Sequence, residues 1–358
     1  MTHLFKIFLI FLVVLLQLLI VFVVYWVTFI HFIQMTRKHS GPGKSFRNGL
    51  SWIEIMNMFP DDETAEAWFV KQRWGNTPTC PSCGCTNVQC GTSHKTMPYR
   101  CRNRKCRKWF SVRIGTVMQS SKLSYQVWSI AIYILNVGIK GVSSMKLHRD
   151  LNVTQKTAWF LAMRIRESWN NDLKCFTGPI EVDETYIGGK EKNKHEHKKL
   201  KAGRGTVGKT AVVGAKDRDT NQVQARVVNN TTAKTLTGFV YSSSMSTTQV
   251  YTDDAKAYEA LKRVAHATVK HSAKEYVDGQ AHINGMESFW SLLKRGYYGT
   301  YHHMSNEHLQ RYVNEFAGRH NVRDLDTVEQ MEHSAKGFVG KRLTYKRLTR
   351  KVGNVAKT

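Results

Sequence analysis

The stretch that decides how this chain is read is His282-Ile-Asn-Gly-Met-Glu287-Ser-Phe-Trp-Ser-Leu-Leu-Lys294. Its apolar residues recur at helical period, which predicts an amphipathic helix with two faces. Asn284, Glu287, Ser291 and Lys294 share one stripe, and Met286, Phe289, Leu292 and Leu293 share another. A carboxylate and a lysine seven residues apart therefore point the same way from a helix anchored by its apolar side. Two further acids sit at the ends of strand-like runs upstream. They are Asp183 in Ile-Glu-Val-Asp-Glu-Thr-Tyr-Ile and Asp253 in Gln-Val-Tyr-Thr-Asp-Asp. Three acids from two strands and a helix are what a two-metal phosphoryl-transfer site requires.

The chain has 358 residues, enough for two or three domains. Lys and Arg number 53 against 27 acids, a formal charge of +26 spread along the whole length. Such an excess is the footprint of a protein that neutralises nucleic-acid phosphates. No single basic amphipathic helix carries it, which argues against a purely membrane-surface role. Seven cysteines, four of them in two short pairs, point to a metal site in a reducing compartment and not to a disulfide framework.

Ile7 to Ile30 contains no charged residue. It exceeds the ~20 apolar residues needed to cross a bilayer and is too long for a signal-peptide core. Lys6 precedes it, while Arg37, Lys38, Lys44 and Arg47 follow, so an inserted segment would leave the rest in the cytoplasm. Two readings compete: a signal anchor, or upstream sequence ahead of a start at Met35. The second is preferred, because a membrane helix has no part in the chemistry. The expected location is then cytoplasmic and nucleoid-associated, with a single-pass anchor only if residues 1–34 are genuine.

The expected organisation is a leader over 1–34, a linker and helix over 35–76, a zinc ribbon over 77–117, a helix-turn-helix region over 118–175, a catalytic domain over 176–325 and a basic tail over 326–358. Ser40 to Lys44 reads as linker. Trp52 to Trp74 is helical after a turn at Pro60, with Ala65, Trp68 and Phe69 on one side. Cys80-Pro-Ser-Cys83 and Cys101-Arg-Asn-Arg-Lys-Cys106 flank seventeen residues, the spacing of a closed tetrahedral Zn²⁺ site. Cys85 and Cys90 lack a paired partner at that spacing, and Cys175 reads as a lone buried thiol. Arg100, Arg102, Arg104, Lys105, Arg107 and Lys108 make the ribbon basic enough to touch DNA phosphates.

Ser124 to Trp169 is helical. Gly141 to Trp159 reads as helix, tight turn, helix, with Thr154 as the second N-cap. In a helix-turn-helix the second helix enters the major groove by its first residues. Gln155, Lys156 and Thr157 would face bases, Arg164 and Arg166 would lie near the backbone, and Trp159 would be core.

From Gly178 onward, strand-like runs fall at Pro179–Tyr186, Thr210–Lys216, Gln222–Val228, Gln249–Thr252 and Ala267–His271. Helical runs fall at Ala233–Tyr241 and Ala255–Val264, and a longer region spans Asn284 to His320. Three consecutive strands, then alternating helix and strand, suggest a mixed α/β sheet. The order fits an RNase-H-like layout, with one acid on the first strand, one at the end of the fourth and one on a later helix. Gly203-Arg-Gly-Thr-Val-Gly-Lys209-Thr210 matches the phosphate-loop pattern, yet charged residues precede it and a strand-like run follows. That context is wrong for the mechanism. No nucleotide cofactor is expected, and a basic loop along DNA is the better reading.

Two Mg²⁺ (or Mn²⁺) ions ~4 Å apart would suit this acid set. Asp183 would bridge both ions, and Asp253 and Glu287 would each complete one shell. Lys294 and Arg295 would contact DNA. Asn284 could ligate or position in place of Glu287, and His282 could touch DNA or satisfy a turn. Glu184 and Asp254 read as solvated surface acids. Strand alternation sets each on the face opposite its neighbour, so the choice within each pair stays open.

The chain resembles the insertion-sequence transposases that join an amino-terminal zinc ribbon to a DDE catalytic domain, the ISXO2-like group related to Merlin elements. The resemblance runs from Trp52 to Arg323. It rests on Cys80-Pro-Ser-Cys-Gly, Tyr99-Arg-Cys, Val182-Asp-Glu-Thr-Tyr-Ile-Gly-Gly, Tyr251-Thr-Asp, His282 to Gly296, and Tyr301-His-His-Met-Ser with His308-Leu-Gln-Arg-Tyr. It implies an RNase-H-like (integrase-like) fold, divalent-metal catalysis, terminal inverted repeats as substrate and a homo-oligomer on DNA. By motif, the catalytic acids fall on Asp183, Asp253 and Glu287, with Lys294 at the usual offset and Asn284 as the alternative third residue. The expected function is DNA cleavage at element ends and strand transfer into target DNA. The alternatives are a domesticated, inactive DNA-binding regulator and a membrane-tethered DNA-binding sensor. No serine sits in a nucleophile setting of the serine-recombinase kind.

Overall fold

In the computed structural model of the protein, residues 47–350 are described, apart from 95, 171–172, 190–192, 194, 201–204 and 270–281. The apolar leader, the Met35 start and the 40–44 linker lie outside the described residues. Among the described residues no helix is long and apolar enough to cross a membrane. The chain divides into two compact units, Met1–Asn48 and Gly49–Thr358, and the description below concerns the second.

Two short helices open it, α1 (Trp52–Met58) and α2 (Asp62–Trp74). Ser51 and Glu54 form a capping box on α1, and Asp61 caps α2, so the polar residues between the apolar stripes set both starts. The ribbon follows as three antiparallel strands, β1 (Val88–Gln89), β2 (Tyr99–Cys101) and β3 (Trp109–Phe110). Three helices come next: α3 (Tyr125–Val137), α4 (Ser144–Leu151) and α5 (Gln155–Arg166), capped by Ser124, Ser143 and Thr154. Asn152 takes the left-handed conformation (φ 49°) that turns α4 into α5.

The α/β part contains β4 (Ile180–Ile187), β5 (Thr210–Asp217), β6 (Val223–Val228), helix α6 (Ala233–Ser243), β7 (Gln249–Asp253) and β8 (Ala265–Val269). Helices α7 (Asn284–Gly296), α8 (Asn306–Asn321), α9 (Thr327–Lys336) and α10 (Tyr345–Thr349) complete the chain. The sheet order is β6-β5-β4-β7-β8. β4, β5 and β6 are antiparallel, while β7 and β8 run parallel to β4. The expected mixed α/β sheet is present.

Alternation along β4 sends its residues to two different cores. Ile180 and Val182 pack with Val213, Ala215 and Val250 against Leu236, Phe239 and Val240 of α6. Ile187 packs on the other face, with Val212, against Met286, Phe289 and Leu293 of α7. Each of those α7 side chains is at most 1% exposed and contributes about 1.5–3 kcal/mol of burial. A third core unites α1 to α5 around Trp128 and Leu147.

Four expectations need correction. The 326–358 segment is not a tail over its described part, because Met331, Ala335 and Phe338 close the core of the amino-terminal helices. The run Ala255–Val264 is helical only as a 3-10 turn, Lys256–Ala260. The region Asn284 to His320 is two helices, broken by a π turn at Tyr297–Tyr301 and by His302 at φ 57°. The strand expected at Ala267–His271 begins two residues earlier, at Ala265, and residues 270–271 lie outside the described set.

Candidate active site

β4 is the central strand, and its register fixes the acids. Ile180 lies opposite Val250 and Glu181 opposite Tyr251 of β7. Two residues on, the same parallel register brings Asp183 level with Asp253 at the end of β7. Asp183 also lies opposite Gly214 of β5. A Cβ on Gly214 would stand 2.5 Å from Met286 Cε and 2.8 Å from the Trp290 ring, so this glycine lets α7 lie close above Asp183. Asp183 therefore points toward α7.

Glu184 points to the opposite face, where the Tyr258 hydroxyl donates to its Oε2 at 2.8 Å. That arrangement separates the members of the Asp183–Glu184 pair. It also corrects the reading of Glu184 as a solvated surface acid, since burial raises its pKa. Asp254 is exposed, as expected. Asp253 accepts the Ala255 backbone N–H at 3.2 Å, which starts the turn after β7.

Asp183, Glu184, Glu287, Ser291, Lys294 and Arg295 line one cleft of about 810 Å³, with Trp290 and Tyr298 as apolar wall; Asp253 is not among the lining residues. Asn284 is exposed at the start of α7 and is not among the lining residues. Burial pushes the Asp183 carboxyl up to about 7, and the nearby charges of Asp253, Glu184 and Glu287 add to the effect. A carboxylate held at that cost beside other acids is suited to a cation.

One buried acid beside the site escaped the reading of the sequence. Glu181, 2% exposed, lies two residues before Asp183 and shares its face. Its Oε2 accepts the Met286 N–H at 3.0 Å in the first turn of α7, an N–H that also donates to the Ile283 carbonyl at 3.0 Å. Its Oε1 pairs with Arg218 Nε at 3.0 Å and lies 3.3 Å from His282 Nδ1. Arg218 also donates to the His282 carbonyl at 2.5 Å. His282 thus stands at the entry of α7, one of the two roles weighed for it. The signal was present in Ile180-Glu-Val-Asp: an acid inside an apolar strand needs a buried partner.

The ribbon sulfurs form the expected cluster. Cys80 and Cys106 Sγ are 3.8 Å apart, and Cys83 and Cys101 Sγ are 3.6 Å apart. Gly84 (φ 71°) turns the chain after the first pair, and Asn103 accepts the N–H groups of Cys106 and Arg107 in the second. The ribbon's own buried core is only Cys80, Cys101 and Phe110, too small to fold alone, and four convergent thiols fit Zn²⁺. Cys85 and Cys90 stand outside the cluster. Cys175 is exposed, not the buried thiol expected. Arg102, Arg104, Lys105, Arg107 and Lys108 are exposed, and Arg100 stacks on Trp109 at 5.0 Å.

In the helical pair, Gln155 and Lys156 are exposed and Thr157 is half-buried. Gln155 donates to Ser144 Oγ at 2.8 Å, and Lys156 lies over the Tyr345 ring. Arg164 and Arg166 depart from expectation. They are 5% and 2% exposed, and Arg166 pairs with Glu315 at 2.5 Å. Helical period placed them on the inner face of α5, where packing outweighs charge. The described end of the phosphate-loop match, Lys209 and Thr210, leads into β5 and not into a helix.

Comparison with known proteins agrees with this geometry. Residues 176–321 match the family model of the ISXO2-like transposase domain, and residues 60–109 match that of the transposase zinc-ribbon domain. An uncharacterized protein in transposable element ISH50 of Halobacterium salinarum is 26% identical over 279 residues, covering 74% of this chain and 92% of that protein. The chain thus carries a transposase zinc-ribbon domain followed by an ISXO2-like transposase domain.

Proposed function

We propose that the protein is a DNA transposase that cleaves insertion-sequence ends and joins them to target DNA. The observation that supports the reading is that Asp183 and Glu287 line one cleft, with Asp253 level with Asp183 on the next strand and close enough that its charge helps raise the Asp183 pKa to about 7. The strand order and the placing of the acids support an RNase-H-like fold for the 176–325 domain.

Asp183, Asp253 and Glu287 would hold Mg²⁺ or Mn²⁺, which supplies Lewis acidity at the scissile phosphate. Lys294 and Arg295 bind the neighbouring phosphates from α7. Trp290 and Tyr298 give the cleft an apolar wall that limits water around the reacting strand. Water attacks the phosphodiester at an element end and frees a 3′ hydroxyl. That hydroxyl attacks a target phosphodiester directly, with no covalent protein intermediate. Positioning carries most of the rate, since a well-oriented intramolecular attack is worth ~7–11 kcal/mol.

The basic ribbon, 77–117, and the start of α5 (Gln155, Lys156, Thr157) contact DNA outside the cleft. Two ends must be joined together, so the active form is a homo-oligomer on DNA. The protein acts at the nucleoid.

The test is a strand-transfer assay with labelled DNA carrying the ends that flank the gene, in Mg²⁺, with Glu287→Gln as control. Joined products from the wild type alone support the reading and the third acid together. Joining by both proteins keeps the transposase and moves the third role to Asn284 or another residue. End binding without cleavage by either overturns catalysis and leaves a DNA-binding regulator.

A further inference from the structure

We propose that Lys140 binds a DNA phosphate in the acid cleft, as a residue delivered to the catalytic domain by the helical region. The inference rests on the transposase reading of that cleft. Lys140 lies in the loop between α3 and α4, far in sequence from every acid, yet it lines the cleft beside Lys294 and Arg295.

The loop is held there by several fixed contacts. Gly138 ends α3, and its carbonyl accepts from Arg319 of α8. The Lys140 carbonyl lies 2.9 Å from where a Cβ on Gly296 would stand, so the end of α7 packs directly on it. Gly141 adopts φ 85°, and its missing side chain makes room for the Tyr301 ring, whose hydroxyl would lie 2.2 Å from a Cβ. The Val142 N–H donates to the Tyr301 hydroxyl at 3.1 Å. Arg166 of α5 donates to the same oxygen at 3.1 Å, and that hydroxyl donates to Glu315 of α8 at 3.3 Å. Glu315 and Arg166 are 0% and 2% exposed, so the anchor is buried and its charges are paired.

The result is a cation on a fixed backbone. Asp183 and Glu287 share the cleft with three cations from two different regions, Lys294 and Arg295 on α7 and Lys140 on the α3–α4 loop. A strand whose scissile phosphate meets the acids presents its neighbouring phosphates to Lys140, Lys294 and Arg295. Tyr301 is then a positioning residue. It ties the loop bearing Lys140 to α5, the helix whose first turn is proposed to read DNA.

The test measures binding of labelled end DNA to the full chain over a salt series, alongside cleavage. Lys140→Ala should weaken binding about tenfold at moderate salt and lower the log–log salt slope by about one. Lys140→Arg should restore both. Tyr301→Phe should weaken binding in the wild type and add nothing further in the Lys140→Ala background, because the two act through one contact. Lys140→Ala binding with wild-type affinity and slope overturns the proposal while leaving the transposase reading intact. Fully additive losses overturn the role of Tyr301. A wild type that binds no DNA sinks the transposase reading and this inference with it.

Discussion

Glu181 on the central strand accepts the backbone N–H of Met286, the third residue of helix α7, at 3.0 Å. A strand carboxylate thus fixes the helix that carries Glu287, on the same face and two residues before Asp183. Gly285 permits this approach, since a Cβ there would stand 2.7 Å from Glu181 Oε2. Glu181→Ala removes the acceptor and leaves Arg218 without its buried partner, at a cost of about 3 kcal/mol. End cleavage should fall about a hundredfold through kcat, as expected for a small misplacement of Glu287, while DNA affinity holds. Glu181→Gln keeps an acceptor and should recover much of the rate. Equal losses in both variants would place the effect in the ion pair and not in the helix anchor.

Asp183 has a pKa of about 7 in the fold against an ordinary 3.8. Below pH 3.8 the group is protonated in both states. As pH rises toward 7 the unfolded chain releases the proton first, so the stability this carboxyl contributes in acid is lost by neutral pH. Without added Mg²⁺ or Mn²⁺, Asp183→Asn should raise Tm at pH 8 by at least about 3 °C and leave it unchanged near pH 3.5. Adding Mg²⁺ should raise the wild-type Tm more than that of the variant. A variant less stable at pH 8 would show that the carboxylate is satisfied without a cation.

These residues show what the sequence made legible. The period-two runs at β4 to β7 and the helical period at Met286, Phe289 and Leu293 are local patterns, and each element lies within a few residues of expectation. The paired cysteines were legible because two thiolates per turn is a local geometry. Glu184 and Arg166 were misread because a partner far along the chain decides their state: Tyr258 for one, Glu315 for the other. Met331 and Phe338 were missed for the same reason. Charged neighbours dominated a segment whose apolar residues meet helices almost two hundred residues upstream or more.

The ribbon depends on its metal. Its buried core is two cysteines and a phenylalanine, so thiolate–zinc bonds supply most of its folding energy. Metal analysis should give one zinc per chain, and Cys83→Ser should lose it. Hydrogen exchange of that variant should lose amide protection over residues 77–117 while β4 to β7 stay protected. Retained protection in the ribbon would make the cluster dispensable for folding.

Gly214 sets the distance between sheet and helix. Gly214→Ala places a methyl group against Met286 and the Trp290 ring, an overpacking that costs about 1–3 kcal/mol. The helix must move away from β5, which carries Glu287 away from Asp183. Chemical denaturation should show the lost stability, and cleavage should fall with little change in DNA affinity. Wild-type cleavage by a destabilised variant would show that the helix relaxes without disturbing the acids.

Arg166 separates two roles that its charge alone cannot distinguish. Its guanidinium is buried against Glu315, and the Arg319 Nη2 lies 3.4 Å from the other carboxylate oxygen. Removing one member strands a buried charge, so Arg166→Met should cost about 3–5 kcal/mol. Replacing the whole triad, as Arg166→Met with Glu315→Leu and Arg319→Leu, leaves no stranded charge and should recover part of that loss. A DNA-contacting arginine would behave differently, lowering the salt slope of binding by about one with little effect on stability. Denaturation and salt titration of the single variant therefore give opposite patterns for the two roles. A large stability loss with an unchanged slope is the outcome expected from the buried pair.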